Sequence, residues 1–405
     1  MALIKKAIFI VSAKRTPFGA FGGALKSLTA TDLAEAAARF CIAESGLSPS
    51  CIGSIVFGNV IQSNRDTFYL ARHTGIRVGV PIETPALMVN RACGSGFQAV
   101  VTAVHDLVDG TTDVALAGGS ENMSEVPFAV QNVRFGTALG GRYELSDTLW
   151  NALTDFQCDS PMGITAENLA EKYKITREDC DQLAVRSQTR WKTAHEAGDF
   201  QQELCSVTGK DKKNRPIEVR ADEHPRTTTM EQLGKLKPAF KKGGVITAGN
   251  ASGICDGASA LLLATEEAVK QHNLKPLARV SAYSVAGCEP TIMGIGPVAA
   301  MNRMMSLFGS DKTGRDTSNY FDLVELNEAF SAQYLACERE LQLNPEATNL
   351  CGGAIALGHP LGATGARILT HLTHQLAKAG GKYKRAVGTA CIGGGQGIAV
   401  ALEAV

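Results

Sequence analysis

Neither sign of charge prevails in this chain of 405 residues: 40 Lys and Arg balance 40 Asp and Glu, so no overall field points to nucleic acid or a membrane surface as partner. Small-molecule chemistry is the default reading. No apolar run approaches the roughly 18 residues of a membrane span, and aromatic residues make up only 6 % of the chain. The 11 cysteines contain no C-x-x-C pair. With that odd number and no secretory signal, neither a disulfide framework nor a zinc ribbon is expected, and the thiols should be reduced. His371 and His374 are three residues apart on a predicted helix without a third ligand nearby, so no metal is expected. What is plentiful is glycine, 42 residues, together with 44 % apolar residues. That composition suits an α/β enzyme with many close backbone approaches, long enough for two or three domains.

One stretch concentrates the chemistry. An apolar strand ending at Val89 runs into Asn90-Arg91-Ala92-Cys93-Gly94-Ser95-Gly96, and Phe97, Val100, Val101, Val104, Leu107 and Val108 then follow at helical spacing up to Gly110. Cys93 is thus expected at a helix N-terminus, where unpaired N–H groups and the helix dipole favour a thiolate and lower the pKa of a nucleophile. Gly94 and Gly96 are expected to leave room for a substrate carbonyl. The bland reading is a small core thiol. The dinucleotide fingerprint is a weaker rival, because Asp113 comes before the next strand, not at its C-terminal end.

The chain also repeats itself. Strand, helix, strand at Ala7–Val11, Thr31–Ser45 and Ile52–Asn59 is replayed at Ala278–Ala282, Val298–Leu307 and Phe321–Asn327. Asn349-Leu350-Cys351-Gly352-Gly353 echoes the Cys93 segment, and the strand Ala386–Thr389 matches Val114–Ala117. Such alternation predicts parallel sheets with helical crossovers, duplicated, with one site between the halves. Between the copies, Glu121–Gly249 is less regular, and its basic stretch Lys210–Lys242 reads either as a solvated loop or as a patch for a phosphate-bearing ligand. An Ala-rich helix running to about His272 is expected to complete the first half. Near the N-terminus, Lys5, Lys6, Lys14, Arg15 and Lys26 precede any acid. That suits an organelle-targeting segment, retained if Ala7–Val11 is also the first strand.

Two glycine-dense loops finish the picture, Gly352–Gly362 around His359 and Cys391–Gly397. A histidine between Gly358 and Pro360 has no evident packing role, and a Cys–His pair can activate a thiolate while a second thiol carries a proton. From Lys6 to Leu402 these features resemble the thiolase family. The four segments that carry the resemblance are the Cys93 stretch, Asn327-Glu328-Ala329-Phe330, Gly352–His359 and Cys391–Gly397. Ala13–Gly19, Tyr69–His73 and Glu121–Ser124 draw it toward the family's degradative, mitochondrial members.

The resemblance implies a thiolase fold of two α-β-α-β-α halves, 5–267 and 274–404, with a loop domain of about 121–249 inserted in the first. It further implies thiolysis of 3-ketoacyl-CoA by CoA, a co-substrate and not a resident cofactor. Cys93 would take the acyl group, His359 would activate it, and Cys391 would exchange protons. Asn327 would hold a water that, with His359, stabilises the enolate oxygen, and the N–H groups of Cys93 and Gly393 would form the other oxyanion hole. Arg226, Thr228 and Ser252 align with CoA contacts, although the chain is one residue short at Thr228. Short-chain members carry histidine where this chain has Pro161, so longer substrates are expected. A homodimer or homotetramer in the mitochondrial matrix is implied. The alternatives are an acetoacetyl-CoA thiolase, condensing two acetyl-CoA on the same residues, and a thiolase-like lipid-binding protein that has lost its chemistry. A ketoacyl synthase would carry a two-histidine or His/Asn set where Cys391 stands.

Overall fold

A computed structural model describes residues 1–309 and 317–405. Its main sheet runs through β1 (Ile8–Arg15), β2 (Ser54–Gly58), β3 (Ala86–Val89), β4 (Val114–Asn122), β5 (Cys255–Thr265), β6 (Ala278–Gly287), β7 (Leu323–Leu326), β8 (Arg385–Ile392) and β9 (Gln396–Glu403). The order across the sheet is β7-β8-β9-β6-β1-β5-β4-β2-β3.

That order is one pattern used twice. In the first set β2 and β4 are parallel, and β4, β5 and β1 then continue antiparallel. In the second set β7 and β8 are parallel, and β8, β9 and β6 continue antiparallel. Where β3 pairs with β2, the second set has a single parallel bridge between Val324 and Thr348. The sets join through β6 and β1, at Ala278 with Ile10 and Arg279 with Phe9.

The sheet is therefore mixed and not parallel as the alternation predicts, and the difference lies in β5. Cys255–Thr265, expected as an Ala-rich helix, is an 11-residue strand buried throughout between β4 and β1. Helix propensity differs by only tenths of a kcal/mol among such residues, whereas a strand with neighbours on both sides pairs its backbone and buries Leu261, Leu262 and Leu263 completely. The helix shrinks to Glu266–Gln271, opened by the Thr265 side chain.

Seven helices matter for the site: α1 (Ala30–Ser45), α2 (Ser95–Val108), α3 (Met162–Tyr173), α4 (Arg177–Glu196), α5 (Gly296–Met305), α6 (Ser331–Leu341) and α7 (Leu361–Lys378). The equivalent helices α2 and α7 form the middle layer. They share one core with β1, β4 and β5 from the first set and β6, β8 and β9 from the second. On α2 the predicted apolar face is buried except at Val108, which ends the helix and is 41 % exposed. The outer face of the first set is covered by α1, that of the second by α5 and α6. The layers are thus α-β-α-β-α. Contact between the middle helices needs glycine: a Cβ on Gly96 would lie 2.5 Å from the Ala366 nitrogen, and one on Gly365 would lie 2.2 Å from the Phe97 nitrogen. Gly94 and Gly96 accordingly serve packing, not substrate access. A Cβ on Gly94 would meet Ile392 at 2.6 Å.

Between β4 and β5 the chain is more ordered than its composition implies. Thr176 and Asp179 form a capping box for the 20-residue α4, and α3 and α4 pack against α5 and α6 in the core of the second half. In the basic stretch, Arg215, Arg220, Lys235 and Lys241 each pair with a nearby carboxylate at the surface. Two of the N-terminal cations are structural. Lys14 pairs with Glu44, and Arg15, fully buried, lies 2.6 Å from Glu203 and 2.7 Å from Asp222. Burial alone would raise the Glu203 carboxyl, but Arg15 and then His371 hold it down to about 2. His371 Nδ1 lies 2.8 Å from that carboxylate, and His374 Nε2 lies 2.8 Å from the Ala13 carbonyl oxygen, so both histidines tie α7 to the first half.

Candidate active site

Cys93 occupies the turn between β3 and α2. Ala92 is held at φ 42°, in the left-handed region, and its N–H donates to Asn90 Oδ1 at 3.0 Å. The Ser95 hydroxyl donates to the Ala92 carbonyl at 2.7 Å and accepts from the Arg91 N–H at 2.9 Å. The turn is thus braced on both sides, and α2 begins two residues past the sulfur, as expected. The N–H groups of Gly393 and of Cys93 itself favour the thiolate. The thiol nevertheless is not acidified. Burial outweighs those donors and pushes it up to about 11, a correction to the low pKa that the helix N-terminus implies.

His359 comes from the second half, in the loop before α7, and is 6 % exposed. Its Nδ1 lies 2.6 Å from Thr364 Oγ1, and that hydroxyl already donates to the Pro360 carbonyl at 2.9 Å. The hydroxyl therefore accepts, Nδ1 carries the proton, and Nε2 presents its lone pair. Burial, aided by the Arg367 charge, drops the imidazole to about 3, so it is neutral and able to take a proton. Asn327, just past β7, directs Nδ2 at His359 Nε2 at 3.4 Å, while its buried Oδ1 has no hydrogen-bond partner among the described residues.

Cys391 lies near the end of β8, fully buried against Met293 and Ala329. Burial, with added repulsion from Cys93, raises its thiol well above the ordinary value. Gly393 follows in the turn to β9, where a Cβ would meet Met162 Sδ at 3.4 Å.

A cavity of about 450 Å³ opens onto the first two of these groups. Cys93 and His359 line it, its apolar walls include Pro161, Met162, Phe240 and Phe330, and Arg226 and Ser252 also border it. Met293 and Ala329 stand between the cavity and Cys391. Thr228 lies elsewhere, in an adjoining depression beside Gln188, Trp191 and Lys192 that Arg226 also borders. Pro225 and Thr227 border the same depression, and Thr229 then caps the short helix Met230–Gly234.

Sequence reasoning passed over two buried carboxylates. Glu328, next to Asn327, accepts from Ser187, Asn349 and the Ile355 N–H. Glu121 does the corresponding work at the end of β4, and burial raises it to about 7 against four N–H donors. A signal was present for Glu121, the one acid closing the uncharged run Val114–Ser120, whereas Glu328 follows Asp322 and Glu325 and does not stand out.

A thiol and a neutral imidazole on an apolar cavity, with a primary amide beside the imidazole and a second thiol packed behind Met293 and Ala329, are the equipment of an acyltransferase on this layered scaffold. Family models described as "Thiolase, N-terminal domain" and "Thiolase, C-terminal domain" match residues 8–267 and 274–404. The "3-ketoacyl-CoA thiolase, mitochondrial" of Bos taurus is 56 % identical over 404 residues, 100 % of this chain and 99 % of that protein. The crystal structure of human mitochondrial 3-ketoacyl-CoA thiolase superposes with TM-score 0.94 at 52 % identity, covering 100 % of both chains. The same human protein in complex with CoA gives 0.93 at 52 % identity over 100 % of this chain and 99 % of that one. The chain belongs to the thiolase family and is an acyltransferase.

Proposed function

We propose that this enzyme cleaves 3-ketoacyl-CoA with CoA, giving acetyl-CoA and an acyl-CoA shortened by two carbons. The observation that carries the reading is that Cys93 and His359, from different halves, line one cavity, with His359 Nε2 unprotonated. Cys93 attacks the 3-keto carbon as its proton passes to His359, and the N–H groups of Cys93 and Gly393 receive the developing oxyanion. The C2–C3 bond then breaks. The acyl group stays on Cys93, and the acetyl-CoA enolate, its oxygen stabilised by His359 and an Asn327-held water, takes a proton from Cys391. In the second half-reaction Cys391 removes the proton of the CoA thiol, which attacks the thioester and releases Cys93, reprotonated from His359. Arg226 and Ser252 bind CoA at the cavity, and Thr228 reaches only CoA's outer part.

The substrate tail is the finer question. Pro161 lines the cavity and offers no donor to a small substrate's oxygen, and Leu153, Met162 and Phe240 extend the apolar wall. Each buried methylene contributes up to about 0.8 kcal/mol, so half-burying the extra carbons of an eight-carbon substrate favours it over a four-carbon one by about tenfold in kcat/KM. Steady-state thiolysis of the two 3-ketoacyl-CoA substrates tests this. A preference for acetoacetyl-CoA would promote the acetyl-transfer reading instead.

The same reading makes the protein a homodimer or homotetramer of the mitochondrial matrix that keeps its N-terminus. The bovine relative's name supports the compartment. Half-exposed Leu87 on β3, the end strand of the sheet, supports association. Native mass and N-terminal sequencing of the protein recovered from mitochondria test both: a monomer, or a first residue well past Val11, overturns the respective claim.

A further inference from the structure

Cys93 and His359 are carried by different halves, and something must hold them in register. Glu121 sits at that junction, fully buried. Its Oε1 accepts from Asn59 Nδ2 and the Ile61 N–H, both at 3.0 Å. Its Oε2 accepts from the Val60 N–H at 3.1 Å and from the Gly362 N–H at 2.8 Å. Asn59, Val60 and Ile61 follow β2 in the first half, whereas Gly362 opens α7, three residues after His359, at a helix N-terminus with no side-chain cap of its own. The line of bonds continues toward the nucleophile. The Val60 carbonyl accepts from Asn90 Nδ2 at 3.0 Å, and Asn90 Oδ1 accepts the N–H of left-handed Ala92, the residue before Cys93, at 3.0 Å.

We infer that Glu121 is a positioning residue, locking the His359 turn to the Cys93 turn through Gly362, Val60, Asn90 and Ala92. The inference rests on the reading of Cys93 and His359 as nucleophile and base. The neighbouring apolar contacts among Ile61, Met123 and Leu361 resist separation but tolerate sliding, because dispersion has no preferred direction. Hydrogen bonds to a fixed carboxylate do have one. A displacement of about 1 Å between reacting groups costs on the order of 10²-fold in rate.

The test uses Glu121→Gln, Asn90→Ala and the double variant in the full-length enzyme, with folding checked by circular dichroism and with single-turnover acylation of Cys93 measured beside steady-state thiolysis. Glu121→Gln keeps the size but turns an N–H donor toward N–H donors. Expected are a kcat on the order of 10²-fold lower with KM changed less than about threefold, a smaller loss for Asn90→Ala, and a double variant no worse than the poorer single, because both changes cut one line. Losses that multiply, or a folded Glu121→Gln with unchanged kcat, overturn the inference. If Glu121→Gln fails to fold, Asn90→Ala decides, since its side chain is at the surface: an unchanged acylation rate there is equally fatal. Unmodified enzyme that never acylates Cys93 refutes the underlying reading and this inference with it, whereas normal acylation in the unmodified enzyme and in both variants refutes the inference alone.

Discussion

Replacing Cys93 with alanine should lower thiolysis by at least about 10⁴-fold, the scale on which loss of a nucleophile acts, and should abolish the acyl-enzyme. In the unmodified protein given 3-ketoacyl-CoA without free CoA, peptide mass spectrometry should find the acyl group on Cys93. Acylation of another cysteine, or an active enzyme with none, would sink the assignment. The pH behaviour follows from burial. With the thiol pushed up to about 11 and the imidazole down to about 3, both partners are neutral across the physiological range. Alkylation of Cys93 by iodoacetamide should therefore keep accelerating above pH 8.5 as the thiolate fraction grows, with no inflection near 6.5 from His359. An inflection between pH 6 and 7 would reveal a thiolate–imidazolium pair at rest instead. The neutral pair also explains why the proton must leave the sulfur as the acyl bond forms: a separated charge pair in this apolar cavity gains nothing until the oxyanion develops beside it.

Cys391→Ala should reduce turnover by about 10²–10⁴-fold, the usual weight of an acid/base group, while the protein still folds. The fully buried thiol is protonated at rest, which suits it to donate to a carbanion. Once it has donated, its thiolate is poorly solvated and strongly basic, which suits it to take the proton of the incoming CoA thiol. The control is Cys288→Ala, at a half-buried thiol whose sulfur lies 3.8 Å from the carbonyl of the same Met293. Equal activity of the two variants would remove Cys391 from the chemistry.

The groups that make this cavity were legible to different degrees. Cys93, His359 and Cys391 stand out because each interrupts a glycine-dense segment that packing alone does not explain, and Asn327 closes a strand equivalent to the one before Asn59. Glu121 and Glu328 were passed over because a single acid in a sequence looks solvated, and only its N–H partners, drawn from distant segments, show that it is not. Thr228 borders the adjoining depression together with Pro225 and Thr227, a placement set by the path of the whole loop and not readable from the residue itself.

Local and repeating features were determined by the sequence by itself: the helix face behind Cys93, the duplication, and the thiol and imidazole at strand and loop ends. Those depend on neighbours along the chain, or on period, and need no partner to be read. Tertiary structure alone decided that Cys255–Thr265 is an interior strand, because backbone pairing on both sides overrides a propensity of tenths of a kcal/mol. It also decided that Gly94 and Gly96 admit side chains and a facing helix where a substrate was expected. The protonation states came from the same source: surrounding protein desolvates the Cys93 thiol and the His359 imidazole, and that desolvation outweighs the pull of a helix N-terminus that can be recognised in the sequence.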